Sequence, residues 1–206
     1  MSELSGTKEL IFDAFVEMAS TVGYENVSMR EIARKVGIQG ASIYNHFESK
    51  GKILEYAYDY YKAHLNENRK PNNEMKKIVE TESAEKIIKS FAHTFESDDR
   101  KKYVRMILIT KIVNMRMFQD PIAKAVFIYN DKNNIEYVMD VLKHGIDVGR
   151  INPNFDIEIF ADVLVSAVEI MGIKAFAEPT YIAGQIEKEP RILTLFIRLL
   201  SFSLLK

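Results

Sequence analysis

Apolar residues recur every three or four positions along almost the whole chain, and no window alternates apolar with polar residues as a half-buried strand would. That period commits the backbone to helices, because only a 3.6-residue turn gathers such residues on one face. Ile11, Phe15, Met18 and Val22 predict a first helix over about 7–22, which Gly23 can end in the left-handed conformation. Ser28 and Glu31 form an S-x-x-E capping box ahead of Met29, Ile32, Ala33 and Val36, so a second, short helix stops before Gly37. A third covers about 40–46, with Ile43 and Phe47 on one face, and Ser49 caps a fourth through Leu54, Tyr58, Tyr61 and Leu65. Polar residues and Pro71 in the stretch Asn66–Asn73 break the pattern and predict a linker. Beyond it, helices are expected over about 83–95, 101–118, 120–149, 155–177 and 190–204, with start signals at Ser83, Asp120–Pro121 and Glu189–Pro190. The expected fold class is all-α with about nine helices.

The 206 residues, 47% of them hydrophobic, suffice for one domain or two small ones with a buried core. No Cys is present, which excludes a disulfide framework, a thiolate metal site and a Cys nucleophile. Glu3, Lys8 and Glu9 interrupt the apolar run that a signal peptide needs, and no stretch reaches the roughly 18 apolar residues of a membrane span. The expectation is a soluble, cytoplasmic protein without a membrane partner. A net charge of −1 gives no general attraction to polyanions, so a nucleic-acid site would have to come from local segregation of charge.

Such segregation occurs between Ser28 and Lys52. Arg30, Arg34, Lys35, Lys50 and Lys52 against Glu31 and Glu48 leave a net +3 there. Two short helices meet at Gly37–Ile38, a turn able to set the steep angle of a helix-turn-helix. The second helix of such a unit lies in the major groove and needs an outer face that is small or hydrogen-bonding. Gln39, Gly40 and Ala41 allow close approach, Ser42 and Asn45 offer polar groups to base edges, and Tyr44 and His46 flank the side where phosphates would pass. Lys50 sits in the first turn of the fourth helix, where the helix dipole disfavours a cation; a DNA phosphate at that terminus would satisfy both.

The segment GYENVSMREIARKVGIQGASIYNHFESKGKIL, Gly23–Leu54, resembles the DNA-binding head of the tetracycline repressor (TetR-like) family. The capping Ser, the Ile-Ala pair, the Gly turn, Tyr-x-His-Phe and the following Lys carry the resemblance, which covers roughly the first 65 residues. One departure is Ala41, where many members carry Gly. The resemblance implies a DNA-binding domain over 1–50 and a helical effector-binding and dimerisation domain over 51–206, with the fourth helix, about 50–68, connecting them. Carried over by position, it implies DNA contacts at Ser28, Gln39, Gly40, Ala41, Tyr44, Asn45, His46 and Lys50. It also implies an effector pocket among the aromatic and Met residues of the later helices, for which Met106, Met115, Phe118, Phe127 and Tyr137 are candidates. The family pairs its last two helices across a two-fold axis. Phe160, Leu164, Ala167, Val168, Met171, Leu193, Phe196, Ile197 and Leu200 are therefore the candidate dimer contacts.

Expected partners are thus an operator duplex, a small-molecule effector and a second copy of the chain, with no cofactor or metal and no catalysis. A carboxylate-bridged di-iron bundle would need Glu-x-x-His pairs, but the residues three before His46, His64, His93 and His144 are Ile43, Tyr61, Ser90 and Val141. HExxH, G-x-S-x-G and phosphate-binding Gly loops are missing too. Gly145 and Gly149 read as close helix packing plus a terminal Gly. Lys111 and Arg116 read as solvated surface cations, with pairing to an anionic ligand as the alternative.

Overall fold

The computed structural model describes residues 6–92, 100–177 and 191–204. Within them the chain forms nine α-helices: α1 (Gly6–Val22), α2 (Met29–Val36), α3 (Lys50–His64), α4 (Asn72–Thr81), α5 (Ala84–Ala92), α6 (Arg100–Arg116), α7 (Pro121–Asp147), α8 (Ile157–Ala177) and α9 (Arg191–Ser203). The fold class is all-α, and the one β-type pairing among the described residues is an isolated bridge between Ile151 and Leu204.

Two elements differ from the expectation. The stretch about 40–46 is a 3-10 turn over Ser42–Asn45, closed by Ser42 N–H donating to the Gln39 carbonyl at 2.9 Å and His46 N–H to the Ile43 carbonyl at 3.0 Å. So short a segment gains little from an α-turn, while the tighter turn still sends both Ile43 and Phe47 inward. Conversely, the expected linker at Asn66–Asn73 runs into helix α4. Pro71 starts that helix, its carbonyl accepting from Glu74 N–H at 2.9 Å and Met75 N–H at 3.1 Å. Proline lacks an N–H that the first turn would leave unpaired anyway, so it breaks a helix only from within. Met75 and Val79, one turn apart, then bury completely. The expected extension of α5 to Phe95 and the start signal at Glu189–Pro190 lie outside the described residues.

The chain divides into two compact units, 1–66 with 97–130 and 67–96 with 131–206. In the first, Ile11, Phe12 and Phe15 of α1 pack with Ile32 of α2, Ile43 and Phe47 of the 3-10 turn, Ile53, Leu54 and Tyr58 of α3, and Ile109 and Ile112 of α6. Each such side chain contributes about 1.5–3 kcal/mol by leaving water. Polar contacts tie α1 to α6: the Arg105 guanidinium donates to Asp13 and Glu9, both at 2.6 Å. Hydrogen bonds from Lys101 and Arg105 hold the Glu9 carboxyl below its usual range.

The second unit buries Met75 and Val79 of α4, Ile87 and Ile88 of α5, Val141 and Leu142 of α7, Phe160 and Leu164 of α8, and Leu193, Phe196 and Leu200 of α9. Gly145 lets these layers close. A Cβ there would lie 2.6 Å from Ile151 Cδ1 and 2.7 Å from Val79 Cγ1, while Gly149 takes φ 72° just past the end of α7. Both glycines thus have the roles that their spacing suggested.

Candidate nucleic-acid interface

Local chemistry sets the helix-turn-helix. Glu31 N–H donates to Ser28 Oγ at 3.3 Å, and Ser28 N–H donates to Glu31 Oε2 at 2.9 Å, so the capping box closes reciprocally. The Ser28 hydroxyl and N–H lower the Glu31 carboxyl, which stays ionised and complements the positive end of α2. Nine residues after Ser28, Gly37 takes φ 79° and Ile38 N–H reaches back to the Ala33 carbonyl at 3.0 Å, which ends α2 and turns the chain.

The following segment has two faces. Ile43 and Phe47 are buried in the first core, and Phe47 N–H donates to the Ile43 carbonyl at 3.1 Å. Gln39, Gly40, Ala41, Tyr44 and Asn45 are exposed, Ser42 and His46 half-buried. Tyr44 leaves 55% of its surface in solvent. Gly40, Ala41 and Tyr44 also line a hollow of about 620 Å³, whose other walls are Arg30, Glu31, Arg34 and Ile38. The surface therefore combines small side chains, amide and hydroxyl groups, and two arginines.

Neighbours decide how much of the positive charge is available. Lys35 pairs with Glu17 and Lys52 with Glu55, at 2.7 and 2.6 Å. No such pair holds Arg30 or Arg34 among the described residues; one turn apart on α2, they were counted in the local charge but not named as contacts. Their spacing on the face opposite Ile32 and Ala33 is the signal that could have found them. Lys50, at the start of α3, is half-buried, donates from Nζ to the Tyr24 carbonyl at 2.8 Å and lies 4.2 Å from the Tyr24 ring centroid. A carbonyl and a ring relieve the cation at the helix start without cancelling its charge.

Arg116 is neither solvated nor open to an anionic ligand. It bonds Glu25 at 2.7 Å and Asp120 at 3.2 and 3.1 Å, and stacks 4.1 Å from the Tyr24 ring.

The pocket candidates are divided between the two units. Met106 lies in the first core, with Phe127 half-buried against it; Met115 is half-exposed beside Gly23, and Phe118 is 85% exposed. Tyr137 belongs to the second core, donates its hydroxyl to the Lys70 carbonyl at 2.8 Å and lies under Arg69. Of the candidate dimer contacts, Phe160, Leu164, Ala167, Leu193, Phe196 and Leu200 are buried within the second unit, and Val168, Met171 and Ile197 pack against it. The opposite stripes are exposed and apolar: Ile159, Val163, Ile170 and Ile173 along α8, and Leu195, Leu199 and Phe202 along α9. Helical period had placed apolar residues on both faces, and only packing tells which face the chain uses for itself.

Residues 11–57 match the family model of Bacterial regulatory proteins, tetR family. The HTH-type transcriptional regulator SrpR of Pseudomonas putida is 20% identical over 157 residues, 76% of this chain and 69% of that protein. The biofilm operon icaADBC HTH-type negative transcriptional regulator IcaR of Staphylococcus aureus (strain Newman) is 28% identical over 103 residues; the match covers 48% of this chain and 50% of IcaR. Among solved structures, a TetR-family transcriptional regulator from Cytophaga hutchinsonii superposes with a TM-score of 0.64 at 15% identity, covering 100% of both chains. That likeness is one of fold.

Proposed function

Because this chain belongs to the tetR family of bacterial regulatory proteins and carries its helix-turn-helix DNA-binding domain, we propose that it is a ligand-released repressor that binds a pseudo-palindromic operator as a homodimer. The observation that carries the reading is the two-faced 39–47 segment: Ile43 and Phe47 anchor it from behind, and every other side chain between Gln39 and His46 stays at least partly in solvent. Major-groove entry demands that division.

In this reading Gln39, Ala41, Ser42 and Asn45 approach base edges, with Gly40 keeping the backbone close. Ser28, Tyr44, His46 and Lys50 meet phosphates, joined by Arg30 and Arg34. The second copy docks on the exposed stripes of α8 and α9, whose burial removes an apolar surface that a monomer would leave wet. Two heads then engage grooves about 34–36 Å apart or a multiple of that. IcaR is named a negative regulator, which favours repression as the sign. An effector that prefers a conformation with mismatched heads lowers occupancy about 5–150-fold for a coupling of about 1–3 kcal/mol, and no bond is made or broken. No described helix is long and apolar enough to cross a membrane; in this reading the repressor acts in the cytoplasm.

The test is binding of the purified chain to the DNA upstream of its own gene. The reading expects sequence-selective, salt-sensitive binding, lost when Tyr44 and Lys50 are both replaced by Ala although the helical content persists. Unchanged binding by that variant refutes the placement of the interface.

A further inference from the structure

Arg116, the last residue of helix α6, meets the turn that precedes α2 at Tyr24 and Glu25. The 3-10 turn Tyr24–Asn26 joins α1 to α2. Its Tyr24 carbonyl accepts the Lys50 ammonium at 2.8 Å, and its ring lies 4.2 Å from the same nitrogen. The ring also takes the Arg116 guanidinium, 4.1 Å from its centroid, while the next residue, Glu25, accepts from Arg116 at 2.7 Å. Arg116 in turn is fixed by Asp120, which accepts from the N–H of Ile122 at the start of α7 and from the Tyr58 hydroxyl at 3.1 Å. Burial alone would push the Asp120 carboxyl up, but the Ile122 N–H and Arg116 outweigh it and keep it ionised. Burial also raises the Tyr24 phenol, so its ring stays neutral and electron-rich beneath the cations.

We propose that Tyr24 is a positioning residue that relays the place of the α6–α7 corner, through Arg116, to the Lys50 ammonium that meets the DNA backbone. A lysine on its own samples many rotamers, and ordering one at an interface weakens binding. Here the residue whose carbonyl orders Lys50 is held through its ring by a guanidinium two contacts away from the Lys50 ammonium, so a displaced Arg116 displaces the anchor. The ion pair with Glu25 and the ring contact pull on adjacent residues of one short turn, which leaves that turn little freedom to move independently of α6.

The inference rests on the DNA-binding reading and is tested on the full-length chain with a duplex that the chain enriches from a random pool. Arg116→Gln is expected to weaken binding about two- to fivefold, the size of a cation–π contact of about 0.5–1 kcal/mol. The salt slope should fall by at most about 1.8, one phosphate in each head of the dimer. In a Lys50→Ala background the same substitution is expected to cost nothing further. A role confined to stability would cost the same in both backgrounds, and melting curves on the same samples read stability directly. Tyr24→Leu should behave as Arg116→Gln, and Tyr24→Phe, which keeps the ring, should restore binding. Should Tyr24→Leu fail to fold, the Arg116–Lys50 cycle decides alone. Wild-type affinity for folded Arg116→Gln, or additive losses in the cycle, overturn the proposal. A wild-type chain that enriches no duplex overturns the DNA-binding reading and this inference with it.

Discussion

The salt dependence of DNA binding can be worked from the ion pairs. Charge counting between Ser28 and Lys52 gives five cations, but two already have carboxylate partners, Lys35 with Glu17 and Lys52 with Glu55. Arg30, Arg34 and Lys50 keep their full charge, because the Tyr24 carbonyl that holds Lys50 accepts a hydrogen bond without neutralising it. Three phosphates per head, doubled in a dimer, give a slope of log K against log salt of about −5. Between about 50 and 200 mM salt the affinity should therefore fall roughly a thousandfold. Arg30→Gln with Arg34→Gln removes two charges per head and should bring the slope to about −2, at little cost in melting temperature since both side chains lie at the surface. Lys35→Gln should leave the slope within about half a unit. The assay is fluorescence anisotropy of a labelled duplex titrated at four salt concentrations. A wild-type slope near zero, or an equal change for Lys35→Gln and Arg34→Gln, refutes the assignment of free and compensated charge.

Three further outcomes follow from the second unit. Val163→Glu with Leu199→Glu should convert the proposed dimer to a folded monomer by light scattering, since both side chains lie on the outward stripes; a persistent dimer places the interface elsewhere. Gly145→Ala should destabilise by about 1–2 kcal/mol: the helix gains about 1 kcal/mol from Ala, but methyl contacts at 2.6 and 2.7 Å with two fully buried side chains cost more than that. Adding Ile151→Val removes the nearer clash and should make the pair less harmful than the sum of the singles in urea melts; additivity would contradict the packing. Burial, with the nearby Asp131 carboxylate, pushes Glu169 up to about 7. A folded-state value above the unfolded one means that its contribution is fully present below about 4.5 and is lost as pH rises through about 7. Glu169→Gln should therefore raise stability at pH 8 by about 1–2 kcal/mol after allowance for partial exposure, with little effect at pH 4; parallel pH profiles would remove the group from the account.

The amino-acid order alone determined the helices and the recognition unit. The 3.6-residue period, the Ser28–Glu31 box, Gly37 and Asp120 act within one or two turns, so their consequences need no distant partner. The same locality explains the error at Pro71, where one residue signals a stop or a start depending on whether Met75 and Val79 find a core to enter. Tertiary structure decided everything that depends on which face meets which. It buried Phe160, Leu164 and Phe196 and left Val163, Leu199 and Phe202 outside, although both sets share the helical period. It also paired Lys35 and Lys52 with carboxylates, left Arg30 and Arg34 open, and brought Arg116 to a tyrosine ninety-two positions earlier in the chain. Burial and ion pairing are properties of residues far apart in sequence, and helical periodicity specifies a face without naming its partner.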